Sequence, residues 1–160
     1  IGKNLVNLIS GFNNNILAYD LIEDRSFQKK ENFTYCSLDY LLKKSNVITI
    51  HLNLNKNTDG FIRYDHFKKM EKTPYLINVS RGEIIDEESL IKALKDGLIK
   101  GAGLDVFKNE PYFGELINYD NVILTPHIGA YAKEIRMKME MEAVQNLIRG
   151  LNQEWKIMKK

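Results

Sequence analysis

The stretch Asn121-Val122-Ile123-Leu124-Thr125-Pro126-His127 delivers an imidazole at the end of an apolar run. Imidazole titrates near neutrality, so His127 suits proton transfer at physiological pH. Arg81 has a comparable setting, directly after Leu76-Ile77-Asn78-Val79-Ser80 and before Gly82. A guanidinium fixed there can hold a carboxylate through two parallel hydrogen bonds, which a lysine cannot copy, and can polarise a neighbouring carbonyl. Glu110 precedes Pro111. A carboxylate beside an imidazole favours the cationic ring and fixes its orientation. Taken singly, each has a plainer reading: a satisfied polar residue, a surface arginine in a turn, a solvated glutamate.

These residues need elements to position them. Five short apolar runs, residues 15–20, 46–52, 74–80, 100–107 and 121–126, show little polar alternation. Such runs suit strands covered on both faces. Helical patterns lie between them. Residues 1–11 place Ile1, Leu5, Leu8 and Ile9 on one face, with Gly11 as the stop. A shorter pattern groups Leu38, Leu41 and Leu42. From Asp86 to Gly97 the chain offers a capping aspartate, Glu87 and Glu88 at the positive end of the helix dipole, and a closing glycine. Its apolar face is Leu90, Ile91, Leu94 and Leu98. A last helix is predicted from about Ala132 to Leu151. Met137, Met141, Val144, Ile148 and Leu151 form one apolar stripe on it, and Ile135, Met139 and Leu147 another. A helix apolar on two sides lies between two bodies. The alternation predicts an α/β fold built on a doubly wound parallel sheet.

Ligands bind outside the carboxyl ends of the strands in such a sheet. Those ends present Asp20, His51, Arg81, Asp105 with Glu110, and His127. Gly2, near the start of the first helix, precedes Asp20 by 18 residues. In dinucleotide-binding folds a glycine there lets the helix approach the pyrophosphate, and an acid about 20 residues on takes the ribose hydroxyls. An acid also repels a 2′-phosphate, which favours NAD over NADP. The competing reading is a solvated aspartate at a turn, since one of the three expected glycines is present.

Composition narrows the classes. The net charge of +2 is spread along 160 residues, with no basic stripe interleaved with aromatics, which argues against nucleic acid as the main partner. The single cysteine, Cys36, excludes an internal disulfide framework, offers no metal-ligand spacing and fits a reducing cytoplasm. No apolar run approaches the roughly 18 residues a membrane span needs, and the first residues are not a signal peptide. Residue 1 is not Met, so a native start there is not expected.

Together the residues describe a reaction. Interconverting a 2-hydroxy acid and a 2-oxo acid needs a hydride carrier, a proton carrier and an anchor for the substrate carboxylate. NAD, His127 paired with Glu110, and Arg81 match those needs. Residues 77–111, beginning Ile77-Asn78-Val79-Ser80-Arg81-Gly82-Glu83 and ending Asn109-Glu110-Pro111, followed by residues 121–130, Asn121-Val122-Ile123-Leu124-Thr125-Pro126-His127-Ile128-Gly129-Ala130, resemble the NAD-dependent D-isomer-specific 2-hydroxyacid dehydrogenases of phosphoglycerate-dehydrogenase-like type.

The likeness runs from Ile1 to about Leu151. It implies a Rossmann-type NAD-binding domain over residues 1–151 and a C-terminal tail over 152–160. It also implies that Arg81 binds the substrate carboxylate and that Glu110 and His127 form the acid–base pair. Asp105 would meet the nicotinamide carboxamide and Asp20 the adenosine ribose. The expected cofactor-binding set is Gly2, Asp20, His51, Thr58, Ser80, Asp105 and Gly129, with no metal. A small 2-hydroxy or 2-oxo acid substrate, a homodimer and a cytoplasmic location complete the expectation, with neither nucleic acid nor membrane as partner. The formate-oxidising branch has glutamine where Glu110 stands, so the hydroxyacid branch is the closer one.

Asn53 replaces the family's usual proline, and Ala130-Tyr131-Ala132-Lys133-Glu134 departs from the threonine-containing form of the phosphoglycerate enzymes, which leaves the substrate open. The opening Ile1-Gly2-Lys3-Asn4-Leu5-Val6 resembles the end of a glycine-rich turn running into its helix. A fragment is therefore expected, lacking a first strand between the strands ending at Asp20 and Ser80, and lacking the substrate domain. Such a fragment would be marginally stable and inactive alone. Two other classes use similar scaffolds. An NAD-sensing corepressor-like module would keep the same residues, whereas a methyltransferase has no need for the Arg81, Glu110 and His127 set.

Overall fold

The computed structural model describes residues 1–158 apart from 25, 28, 29 and 31, and describes residues 153–158 as helix backbone only. The chain divides into two compact units, the first Ile1–Pro126 and the second from His127 on.

The first unit is the predicted α/β arrangement with parallel strands. In chain order its elements are α1 (Gly2–Ile9), β1 (Ile16–Ala18), β2 (Phe33–Tyr35), α2 (Leu38–Lys44), β3 (Val47–Ile50), α3 (Tyr64–Phe67), β4 (Tyr75–Asn78), α4 (Glu87–Lys95), β5 (Gly101–Leu104) and β6 (Val122–Leu124). Strands β3-β4-β5-β6 form one sheet in that order, and β1 pairs with β2 in another; every pairing is parallel. The core lies against the four-stranded sheet, where Leu42, Phe67, Leu76, Ile84, Leu90 and Leu116 are fully buried.

Local chemistry sets the helix ends. The Ser37 hydroxyl accepts from the Tyr40 amide and opens α2. Asp86 accepts from the Ser89 amide and opens α4, as predicted, and Gly97 closes it at a φ of 67°. Of the predicted apolar face of α4, Leu90 and Leu94 are buried beside Ala93, while Ile91 and Leu98 pack at its margin.

Four sequence expectations change. Strand β2 was not anticipated: Phe-Thr-Tyr is short and sits among charged residues, yet it alternates as a strand should, Phe33 inward and Thr34 outward. Helix α1 does not stop at Gly11. It tightens into a 3-10 turn, Ser10–Phe12, and ends at Asn13, whose φ is 52°. Asparagine tolerates that left-handed conformation because its short polar side chain bonds locally. The sheltered side of α1 is Leu5, Val6 and Ile9; Ile1 and Leu8 are 86% and 76% exposed. Finally, the strand leading to Ser80, β4, has a neighbour on each edge, so a further strand cannot pair there. The open edge facing that role belongs to β3, the strand leading to His51.

In the second unit α5 spans Lys133–Met158, seven residues past its predicted end at Leu151, through part of the predicted tail. Gly150 does not break it; one glycine costs about 1 kcal/mol in a helix interior. Both apolar stripes face solvent in this chain: Ile135, Met137, Met139, Met141, Val144, Leu147, Ile148 and Leu151 are 47% to 62% exposed. Among the described residues no helix is long and apolar enough to cross a membrane.

Candidate active site

The carboxyl ends of β4, β5 and β6 carry a buried polar framework. Asn78, the last residue of β4, is 1% exposed. Its carboxamide oxygen accepts from the Ser80 amide (3.1 Å) and hydroxyl (3.0 Å), and its NH₂ donates to the Arg81 carbonyl (2.8 Å). A single buried amide thus shapes the turn that carries Arg81 to the surface. Arg81 is exposed, and its guanidinium donates to the Ser80 carbonyl at 2.6 Å. The sequence reading missed Asn78. The available signal was an amide inside an otherwise apolar strand, where a polar side chain must find partners.

Asp105 follows β5 and is buried; it accepts from the Thr125 hydroxyl at 2.5 Å, which ties the exits of β5 and β6 together. Glu110 is exposed on the loop after β5, and its Oε1 accepts from the Phe107 amide at 3.0 Å. Gly82 brings the Arg81 turn against this loop. A Cβ at Gly82 would lie 2.1 Å from the Phe107 carbonyl carbon and 2.4 Å from the Lys108 nitrogen. Only a glycine permits that approach, so the elements bearing Arg81 and Glu110 meet backbone to backbone. Glu110 also borders an apolar hollow of about 470 Å³ shared with Phe107, Tyr112, Leu124 and Pro126.

His51 stands one residue beyond β3. Its Nε2 is 3.1 Å from the Thr49 hydroxyl, while Nδ1 is buried without a partner. Burial pushes its pKa below the ordinary imidazole value, which favours the neutral ring. A Cβ at Gly2 would lie 3.6 Å from the His51 ring, so the start of α1 faces this group. An orphaned buried polar atom beside a helix start calls for a bound polar partner, and a dinucleotide fits that need. Asp20 lies two residues past β1, exposed, with Oδ1 accepting from the Ile22 amide at 3.1 Å. The Thr58 hydroxyl accepts from the Asn55 amide (2.8 Å) and donates to the Asn53 carbonyl (2.7 Å), within its own loop.

His127 opens the second unit, exposed, with a φ of 54°. Gly129 follows in the same segment. Few residues other than glycine adopt that backbone conformation, and histidine is among those enriched there. Among the described residues no three His, Cys, Asp or Glu groups gather to hold a metal.

Residues 1–129 match the family described as D-isomer specific 2-hydroxyacid dehydrogenase, NAD binding domain. The chain is 41% identical to a glyoxylate reductase of Pyrococcus furiosus over 149 residues, covering 92% of this chain and 44% of the relative. With a glyoxylate reductase of Thermofilum pendens it shares 42% identity, covering 96% and 46%. The crystal structure of D-lactate dehydrogenase from Aquifex aeolicus, complexed with NAD and lactic acid, superposes with a TM-score of 0.86 at 30% identity, covering 95% of this chain and 50% of that one. The chain thus spans about half the length of the proteins it matches. It belongs to the NAD-binding domain family of the D-isomer-specific 2-hydroxyacid dehydrogenases.

Proposed function

We propose that the protein carrying this chain is an NAD-dependent oxidoreductase that interconverts a D-2-hydroxy acid and its 2-oxo acid. The observation that carries this reading is the backbone contact at Gly82, which joins the turn bearing Arg81 to the loop bearing Glu110. An anchor for a carboxylate and an acid–base group then belong to one built surface. Family membership and relatives described as glyoxylate reductases and a D-lactate dehydrogenase support the same reaction class.

Bound NAD supplies the hydride acceptor or donor. Gly2, Asp20, His51, Thr58, Ser80, Asp105 and Gly129 would hold it. Arg81 holds the substrate carboxylate and orients the carbon to be oxidised or reduced. His127 takes the hydroxyl proton in oxidation and returns it to the carbonyl oxygen in reduction. Glu110 stabilises the imidazolium in between and fixes the ring. The lone cysteine supports a cytoplasmic setting, and the uncovered stripes of α5 support a homodimer.

The test is NADH consumption by the complete protein with a panel of 2-oxo acids, glyoxylate first. His127→Ala should lower kcat by roughly 10²–10⁴-fold while NADH binding survives. Near-normal turnover in that variant would remove His127 from the mechanism. NADH binding with no turnover on any 2-oxo acid would point to an NAD-sensing module instead.

A further inference from the structure

The loop that presents Glu110 is closed by two rings. Phe107, at its start, and Tyr112, just past Pro111, stack with centroids 4.3 Å apart and planes 22° from parallel. The Phe107 amide is the donor to Glu110 Oε1. The stack is itself anchored. The Tyr112 hydroxyl donates to Glu87 Oε1 at 2.7 Å, in the first turn of α4, and accepts from the Leu116 amide at 3.3 Å. Burial, reinforced by Glu87, pushes the Tyr112 pKa up to about 12, so the phenol stays a donor throughout the physiological range. The space is fitted to that hydroxyl: a Cβ at Gly114 would stand 2.3 Å from it.

We infer that Tyr112 is a positioning residue for Glu110. Through the stack it fixes Phe107, and so the amide that orients the carboxylate; through its hydroxyl it fastens the loop to α4. The inference rests on Glu110 acting in proton transfer, as proposed above. A purely structural role would lower stability without touching the chemistry. A positioning role acts on turnover and its pH dependence, because a displacement of about 1 Å at a reacting group costs on the order of 10²-fold in rate.

The experiment compares Tyr112→Ala, Tyr112→Phe and Glu110→Gln in the complete protein, reading kcat, KM for NADH and the pH profile. Tyr112→Ala should cut kcat on the order of 10²-fold, leave KM for NADH unchanged, and move the pH optimum in the same direction as Glu110→Gln. Tyr112→Phe keeps the stack and should recover most of the turnover and the parent pH profile. If Tyr112→Ala does not fold, Tyr112→Leu, which fills the space without stacking, carries the same expectation. A Tyr112→Ala or Tyr112→Leu protein that melts earlier but turns over with the parent kcat and pH profile overturns the inference. So does a Tyr112→Phe protein no better than the alanine variant. An unchanged pH profile in Glu110→Gln would instead remove the reading of Glu110 itself.

Discussion

The two sheets of the first unit solve different problems. At the exits of β4, β5 and β6 the exposed groups, Arg81 and Glu110, stand on buried polar supports: Asn78, Ser80 and Asp105 are all at most 8% exposed. Beneath them lies the apolar core, in which Leu76 is fully buried. Among the described residues the β1–β2 sheet has no such foundation. Phe33 is its one buried side chain, edge-on to Phe27 and Tyr35. Its ties among the described residues include Lys3 paired to Asp24, Lys3 and Lys30 over the Phe27 ring, and the Asp24 amide donating to the Tyr35 hydroxyl at 3.2 Å. A group that must meet a reacting atom within a fraction of an ångström needs a rigid base. A group that recognises ribose hydroxyls, the role proposed for Asp20, acts through charge and hydrogen bonding on an exposed turn.

Substitutions separate the two designs. Leu76→Ala, at the centre of the four-stranded sheet, should cost about 2–5 kcal/mol in a denaturant melt of the domain; a cost below 1 kcal/mol would mean this sheet is not the foundation. Gly82→Ala places a Cβ 2.1 Å from backbone, and moving the Phe107–Lys108 peptide should cost about 1–3 kcal/mol. Turnover should fall with it, because Arg81 and Glu110 are displaced from each other; parent kcat in a destabilised variant would uncouple the contact from catalysis.

On the other sheet, Asp20→Ala should change stability by no more than about 0.5 kcal/mol, as expected of an exposed position. It should erode the preference for NADH over NADPH in kcat/KM. Equal use of both by the parent protein would end the proposed role of Asp20.

The smallest effect is at Lys3. Its ammonium, helped by the Ser26 hydroxyl and amide, holds the Asp24 carboxyl at about 2 against an ordinary 3.8. A depressed carboxylate contributes stability above its ordinary value and loses it as pH falls through the depressed one. Lys3→Ala should therefore move the Asp24 titration upward, only part of the way because Ser26 remains, and shrink the stability lost as pH falls below the ordinary 3.8. A carboxyl-carbon NMR titration measures this, and an unchanged Asp24 curve would show that the pair does not persist in solution.

Much of this molecule was legible in its residues. The runs that become β3 to β6 were legible as apolar segments, although cover on both faces was not borne out: Ile48, Ile50 and Leu76 are buried while Val47, Tyr75 and Ile123 are 55%, 51% and 72% exposed. Asp86 and Gly97 bound α4 through capping chemistry that needs no tertiary context. Arg81, Glu110 and His127, the proposed catalytic set, were singled out by type and by position after apolar runs. Strand β2 did not, because three residues carry too little periodicity to separate a strand from a loop. Asn78 did not either, since its importance lies in partners at the turn that only the folded backbone assembles.

The sequence by itself determined the α/β class, the order of the strands and helices other than β2 and α3, and the residue types available for chemistry, because hydrophobic period and capping are local. Tertiary structure alone decided that β4 is flanked on both edges, that α1 shelters Leu5, Val6 and Ile9 rather than Leu8, and that Gly82 lies against the Phe107–Lys108 peptide. Those outcomes depend on which surfaces meet across long separations in sequence, and no local pattern encodes the clearance between two backbones.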